Sequence, residues 1–342
     1  MRNWKVRPLI LCLLLLFGFA CLNPPVFGQT KPIELNYSTH FPATHTIAGL
    51  AKDWAKEIER RTDGRVKITV FVGGTLVPAG QCFDAVVKGI ADIGNAVPSL
   101  TKGRFPLSEV VELPLGYKSA VEATKLGNEY YEKFRPKEFD EAQVMYLNCL
   151  GPGLIHSRKA VNKFEDFKGL KIRSNALSAL IAKAIGAVPV AMATAESYDA
   201  LGKGIVDASL APMEALQGWK WAEVTKFTIV SPGFSYTTLF QIIMNKRKWN
   251  ALPPDIHKII EKVNEEWSEK EGKNWDAIDN AGRDFALKLG HQIIYLPKEE
   301  DEKIVKAVRP LFDEYVENMK KFGLPGEEAL KFCRERLKQI QK

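Results

Sequence analysis

Apolar residues near the start of the chain recur first at every second position and then at every third or fourth. Residues 33–38 alternate, which predicts a half-buried strand. Residues 47–61 follow the helical period, with Thr46 as the predicted N-cap, and residues 65–71 alternate again. Strand, helix and strand in this order predict a βαβ unit and therefore a parallel sheet.

The same order of elements returns between residues 159 and 190. Residues 170–173 predict a strand, residues 176–185 a helix and residues 186–190 another strand. The helical period then continues from residue 253 to about residue 289. A helix of this length, ~50 Å at ~1.5 Å per residue, is long enough to brace two lobes. A strand and two helices are the last predicted elements: residues 291–296, 300–321 and 327–341.

Two ten-residue segments, 83–92 and 198–207, are identical at six positions. Both predict the end of a helix, a glycine stop and a strand, because Gly89 and Gly204 suit the left-handed residue that ends many helices. Two explanations are open at this stage. Either Lys-Gly followed by an aliphatic residue is simply common between a helix and a strand, or the chain forms two similar lobes whose equivalent loops face each other.

The first 28 residues predict an export signal. Basic residues precede an apolar run from Leu9 to Ala20, which is shorter than the roughly 20 residues that span a bilayer. Two fates of this leader are open, cleavage after Gly28 and lipidation at Cys21. In either case we expect an exported protein that is soluble or tethered only by its N-terminus.

Composition and charge exclude several classes of protein. Apolar residues make up 46% and charged residues 26%, which excludes bulk disorder. The formal charge of +7 becomes +4 without residues 1–28, and no basic stripe with aromatic residues indicates a nucleic-acid partner. Beyond the leader, Cys82, Cys149 and Cys333 are widely spaced, which predicts buried packing residues.

Signatures of nucleophilic, zinc and phosphate-loop enzymes are absent from the sequence. The segment Gly151-Pro152-Gly153 is the nearest to a dinucleotide-binding loop, but His156 stands where such a loop has its third glycine. Paired carboxylates lie in helical charge runs, which predict solvated faces. We therefore predict no catalytic residue, no metal and no cofactor.

Arg173 is the residue whose position points to ligand chemistry. It ends the predicted strand 170–173, so its side chain should project from the C-terminal edge of a parallel sheet, where open α/β sheets bind ligands. The planar fork of arginine offers a carboxylate two parallel hydrogen bonds and keeps its charge when desolvated. An ordinary ion pair is the alternative.

Several segments, in their order and spacing, resemble the extracytoplasmic solute-binding proteins of TRAP (tripartite ATP-independent periplasmic) transporters. They are residues 37–40, 89–94, 168–173, 186–190, 198–207, 244–246 and 249–253. The resemblance covers essentially the whole chain after the leader. It implies an α/β, two-lobed periplasmic binding protein fold, type II-like, with mostly parallel sheets and a long helix bracing both lobes.

The resemblance also implies how the protein works. The cleft is expected to close on a small organic carboxylate that Arg173 grips, and the loaded protein is expected to deliver it to a membrane permease. A monomer is expected, with no nucleic-acid partner. The implied division of the chain is a signal peptide (1–28), a first lobe (29–150 plus 239–278), a second lobe (151–238 plus 279–320) and a C-terminal helix (321–342).

The sequence departs from the family pattern at two positions where other members have a polar residue that helps to hold the ligand. Ala211 stands where many members have asparagine, and the second arginine that sialic-acid binders place near Gly153 is missing. Both departures favour a monocarboxylate with an aromatic or hydrophobic body over a sugar acid or a dicarboxylate. Glu214 is a candidate partner for an amine if the ligand is an amino acid.

The predicted ligand site combines Arg173 with residues of both lobes: His40, Phe41, Gln81, Asn95, Thr194, Ala211, Met213, Glu214, Phe234 and Tyr236. Trp219 and Trp221 are further candidates for an aromatic wall, with packing in the core as the alternative. Two other functions remain open at this stage. One is an enzyme on the same fold, and the other is a periplasmic sensor of an organic acid that acts on a membrane receptor.

Overall fold

The structure, a computed structural model, describes Met1, residues 31–101 and residues 103–342. Both leader sites, Gly28 and Cys21, lie outside the described residues. The strands are β1 (Ile33–Ser38), β2 (Val66–Phe71), β3 (Ile93–Ala96), β4 (Ala142–Cys149), β5 (Leu154–Ser157), β6 (Lys171–Ser174), β7 (Val188–Ala191), β8 (Ala208–Ala211), β9 (Phe227–Val230), β10 (Leu239–Asn245) and β11 (Gln292–Tyr295). The helices are α1 (Thr46–Arg61), α2 (Cys82–Lys88), α3 (Glu109–Glu112), α4 (Ala120–Phe134), α5 (Ala176–Ala184), α6 (Ser197–Gly202), α7 (Ala215–Gly218), α8 (Lys246–Asn250), α9 (Pro254–Lys288), α10 (Lys298–Lys321) and α11 (Gly326–Ile340).

The βαβ unit predicted near the N-terminus is confirmed. β1 pairs with β2 in parallel from Ile33 opposite Val66 onward, and α1 connects the two strands. The predicted N-cap is wrong by one residue. His45, and not Thr46, caps α1, because the His45 Nδ1 accepts a hydrogen bond from the backbone N–H of Ile47 while Thr46 is already helical.

Two sheets form the two lobes, so the predicted two-lobed α/β class is confirmed. The first sheet has the order β2-β1-β3-β10-β4 and the second has the order β11-β9-β5-β8-β6-β7. Five of the nine strand pairings are parallel, and the four antiparallel ones all involve β5 or β10. These two strands enter their sheet directly from the other lobe, and each runs against its neighbours. The residue boundaries of the lobes stay a prediction.

The sequence repeat corresponds to a structural repeat. Gly89 after α2 and Gly204 after α6 both have a left-handed backbone, with φ of 79° and 72°. In the first lobe the Asp92 carboxylate accepts a hydrogen bond from a backbone N–H of β1, and in the second lobe the Asp207 carboxylate accepts one from a backbone N–H of β6. The repeated aspartate thus ties a turn to the neighbouring parallel strand in each lobe.

The long helix α9 runs for 35 residues and contacts both lobes. In the first lobe it packs against α1, α4 and β4, and in the second lobe against α7. Gly282 permits the second contact, because a Cβ atom there would lie only 2.4 Å from the backbone oxygen of Met213. Within the described residues, no helix is long and apolar enough to cross a membrane. Cys82, Cys149 and Cys333 are free and buried, as predicted.

Candidate functional site

A partly open cavity, with about 620 Å³ of empty space that includes its solvent-filled mouth, lies between the two sheets. The first lobe lines it with His40, Phe41, Val97, Leu100, Leu150 and Phe240, and the chain between β5 and β10 lines it with Arg173, Asn175, Thr194, Leu210, Ala211, Pro212, Glu214, Ala215, Trp219, Tyr236 and Thr238. Val97 follows β3, and Ala211 ends β8. The segments that meet across the cleft are therefore those at the ends of these strands. The expectation that the repeated turns face each other is wrong, because those turns precede the strands and lie outside the lining.

Arg173 lies in β6 and is only 6% exposed. Its Nε and Nη2 donate to the backbone oxygen of Met192 at 3.2 and 3.1 Å, and Nη2 also donates to the Thr194 Oγ1 at 2.9 Å. Among the described residues no carboxylate forms an ion pair with this guanidinium. Burial lowers the pKa of Arg173 from its ordinary value. The alternative interpretation, that Arg173 forms an ordinary ion pair, is therefore wrong for the described residues.

A buried cation without a counter-ion beside a cavity favours the binding of an anion there. Transferring a charge from water into the interior is costly unless the charge is paired. The hydrogen bonds to Met192 and Thr194 fix the orientation of the guanidinium, but they bring no negative charge. An anion in the cavity would supply that charge.

One side of the cavity is aromatic. The Phe41 ring lies 5.7 Å from the ring of Phe240 and 6.4 Å from that of Trp219, between ring centroids. The imidazole of His40 stacks near Phe240, and burial lowers its pKa to about 4, so His40 is neutral at neutral pH. Tyr236 adds a hydroxyl that keeps its proton, because burial raises its pKa to about 12. The wall is mainly aromatic and carries no charge at neutral pH.

Glu214 is engaged across the cleft. Its Oε2 lies 3.1 Å from the Nε2 of His45, a residue of the first lobe, and both side chains are buried. The backbone N–H of Glu214 donates to the Asp279 Oδ1 at 2.7 Å. Burial raises the pKa of Asp279 well above its usual range. Glu214 thus joins the two lobes, and the suggested role as an amine partner would compete with His45.

The structure brings most of the predicted site residues together and leaves four of them out of the lining. Gln81 is exposed in a short 3-10 turn, Asn95 is buried in β3, and Phe234 is buried edge-on against Phe167. Met213 lines a second, separate groove together with Asp276, Asp279 and Arg283. The ligand roles of all these residues stay predictions.

Several lining residues escaped the sequence analysis: Val97, Leu100, Leu150, Asn175, Leu210, Pro212, Ala215, Thr238 and Phe240. Two of them had a usable signal, since Val97 and Asn175 directly follow strands whose carboxyl ends face the cleft. Phe240 had none, because it lies in the apolar strand β10 and its face depends on pairing with distant strands. Trp219 lies on the cavity wall, whereas Trp221 is fully buried in the core beneath Arg173.

His156 supports the floor of the cavity. Its Nε2 donates to the backbone oxygen of Pro212 at 2.9 Å, because a carbonyl can only accept. Its Nδ1 therefore accepts from the Thr228 hydroxyl at 2.9 Å, and that oxygen accepts from the His291 Nε2 at 2.8 Å. Burial lowers the pKa of His156 from 6.5 to about 4.

Acid should weaken the folded state through His156. Between pH 6.5 and 4 the unfolded chain binds a proton that the folded chain refuses, so this contribution is complete above pH 6.5 and is lost as the pH falls. We expect a loss of about 2–3 kcal/mol between pH 7 and 4.5. Urea unfolding of the wild type and of His156→Gln at several pH values measures this loss. The free energy of unfolding should fall less steeply with falling pH in the variant than in the wild type.

The wild type and the variant must be compared because buried carboxyl groups change the free energy of unfolding with pH in the opposite direction. Burial raises the pKa of Glu112 to about 8 and that of Glu271 to about 7. Their contribution is complete below pH 4.5 and is lost as the pH rises through these values. Equal slopes for the wild type and His156→Gln would contradict the role of His156.

Comparisons with known proteins match one family over most of the chain. Residues 37–318 match the family described as bacterial extracellular solute-binding protein, family 7 (DctP). The C4-dicarboxylate-binding periplasmic protein DctP of Rhodobacter capsulatus is 27% identical over 296 residues, which cover 84% of this chain and 80% of the relative.

Two solved structures are similar over most of both chains. A TRAP solute-binding protein from Rhodoferax ferrireducens T118, in complex with copurified benzoate, is 29% identical with a TM-score of 0.84, and the match covers 90% of this chain and 98% of that one. A TRAP periplasmic solute-binding protein from Bordetella bronchiseptica, with bound (R)- and (S)-mandelate, is 28% identical with a TM-score of 0.83 and covers 90% and 100%.

Proposed function

This chain belongs to the bacterial extracellular solute-binding proteins of family 7, the solute-binding proteins of TRAP transporters, and we propose that it captures an aromatic or hydrophobic monocarboxylate. Proteins of this family bind small organic acids outside the cytoplasm and work with a membrane permease; they are not enzymes. The observation that carries the proposal is Arg173, a buried guanidinium beside the interlobe cavity with no carboxylate partner in the described part of the chain.

The walls of the cavity favour a ligand with an apolar body. Phe41, Phe240 and Trp219 offer ring faces, and Leu150 and Val97 add aliphatic surface. The benzoate and mandelate of two similar proteins are small acids of this kind.

The charges around the cavity disfavour a dicarboxylate. Arg173 is the one arginine or lysine among the described lining residues, and Glu214 is the one carboxylate there. A second carboxylate on the ligand would lose its hydration without gaining a cation, and it would share the cavity with the carboxyl group of Glu214. The body of the ligand should therefore be neutral.

The ranking of ligands tests the proposal. Native mass spectrometry of the purified protein would first identify any acid that copurifies. A thermal-shift panel would then compare benzoate and mandelate with succinate, since a ligand that binds only the folded state raises the melting temperature. We expect the aromatic acids to give the larger shifts. A larger shift with succinate would overturn the proposed ligand class and leave the family unchanged.

Closure of the lobes would connect binding to delivery. We propose that the ligand joins Arg173 of the second lobe to the aromatic wall of the first lobe, so that contacts to both lobes favour the closed form. The closed monomer would present its ligand to the permease. The proposed lobe boundaries, with crossings after residues 150, 238 and 278, would place the cavity between the moving parts.

A further inference from the structure

Asn175 stands two residues after Arg173 and caps helix α5. Its Oδ1 accepts two hydrogen bonds from Ser178, one from the backbone N–H at 3.2 Å and one from the hydroxyl at 2.7 Å. Its own backbone N–H donates to the Ser178 Oγ at 2.9 Å. These bonds fix which end of the amide group faces the helix.

The helix cap does not use the amide nitrogen of Asn175. The Oδ1 is saturated by two donors, so Nδ2, which can only donate, is turned away from the helix. In the described part of the chain it has no hydrogen-bond partner, and Asn175 lines the interlobe cavity.

Arg173 needs a second donor beside it to hold a carboxylate. Of its five N–H groups, the one on Nε and the two on Nη2 are directed to Met192 and Thr194. Only the two N–H groups on Nη1 remain, so the guanidinium cannot donate two parallel hydrogen bonds from two different nitrogens to the ligand. A carboxylate has two oxygens, and one of them would be left without a donor from Arg173.

We infer that the Asn175 Nδ2 donates to the ligand carboxylate alongside the Arg173 Nη1, which makes Asn175 a specificity-determining residue of the site. The inference rests on the proposed function, because it assumes that the ligand carboxylate binds at Arg173. It assigns the site a ligand with at least one full carboxylate group. A donor amide and a guanidinium together select this group against a neutral amide or alcohol.

This inference is tested by substitutions that keep the helix cap but replace the amide donor. Aspartate and serine cap helices about as well as asparagine, so Asn175→Asp and Asn175→Ser should keep the melting temperature of the unliganded protein. Calorimetry at pH 7 would measure binding of benzoate, with mandelate as the second probe. We expect Asn175→Asp to bind about a hundredfold more weakly, because an acceptor with a negative charge replaces the donor, and Asn175→Ser about tenfold more weakly.

The outcomes separate the inference from the proposed function. Asn250→Asp, which adds the same charge at an exposed position, is the matched control and should bind as the wild type does. Wild-type affinity in Asn175→Asp and in Asn175→Ser would overturn the inference alone, and it would leave only the capping role. A wild-type protein that binds neither benzoate nor mandelate would overturn both. If Asn175→Asp does not fold, the serine variant decides.

Discussion

Alanine at position 173 should weaken the binding of an aromatic monocarboxylate by about a hundredfold or more. Removing one partner of a buried charge pair costs roughly 3–5 kcal/mol, because the other charge is left unpaired away from water. Each ~1.4 kcal/mol corresponds to a factor of ten in affinity. Calorimetry with the acid that gives the largest thermal shift would measure the effect.

Lysine at the same position should fail as well, for a reason that only the structure supplies. The guanidinium donates to the backbone oxygen of Met192 and the hydroxyl of Thr194, and its Nη1 forms no hydrogen bond with the described residues. A single ammonium group cannot occupy both positions. Arg135→Ala, at an exposed arginine near the end of α4, is the control and should not change affinity. Unchanged affinity in Arg173→Ala would contradict the assignment of the anion site.

A single methyl group at Gly153 should disrupt the cavity. A Cβ atom there would lie 2.0 Å from the Cε1 and 2.2 Å from the Cδ1 of Tyr236, a buried ring that lines the ligand site. The ring must move into the cavity, or the backbone between β4 and β5 must shift. We expect Gly153→Ala to lower the free energy of unfolding by about 3 kcal/mol, at the upper end of overpacking costs, and to lose most ligand affinity.

Two variants make this a test of the steric argument. Gly80→Ala is the matched control, since its Cβ would meet nothing nearer than 3.8 Å and its backbone is not left-handed. In a Tyr236→Leu background the cost of Gly153→Ala should shrink, because the colliding ring is gone, and a double-mutant cycle measures that coupling. Urea unfolding gives all four free energies. An equal cost in both backgrounds would show that the ring is not the obstacle.

The sequence predicted the parts of the fold that depend on neighbouring residues. The first βαβ unit, the long helix α9 and the two similar helix-to-strand turns follow from hydrophobic period and from glycine at a helix end. Arg173 was found in the same way, since a residue at the end of a parallel strand faces the ligand crevice. The resemblance to the TRAP solute-binding proteins added the order of these parts.

The lining of the cavity was predicted less completely, because it joins residues that are far apart in the chain. Phe41, Phe240 and Trp219 meet only after β10 has entered the first sheet. Phe234 and Asn95 have side chains suited to a ligand site, yet Phe234 packs against Phe167 and neither residue lines the cavity. No local pattern distinguishes them from Tyr236, which does line the cavity.

The sequence by itself determined the main elements and the position of Arg173 at the end of a strand, because these follow from short-range periodicity. The two-lobed class came from the resemblance to a known family. Only the tertiary structure decided what those groups do. It turned the arginine fork toward Met192, set Glu214 against His45 across the cleft, and made Gly153 a point of close contact rather than part of a nucleotide loop. The physical reason is that the strands crossing between the lobes bring together atoms whose distances no periodicity records.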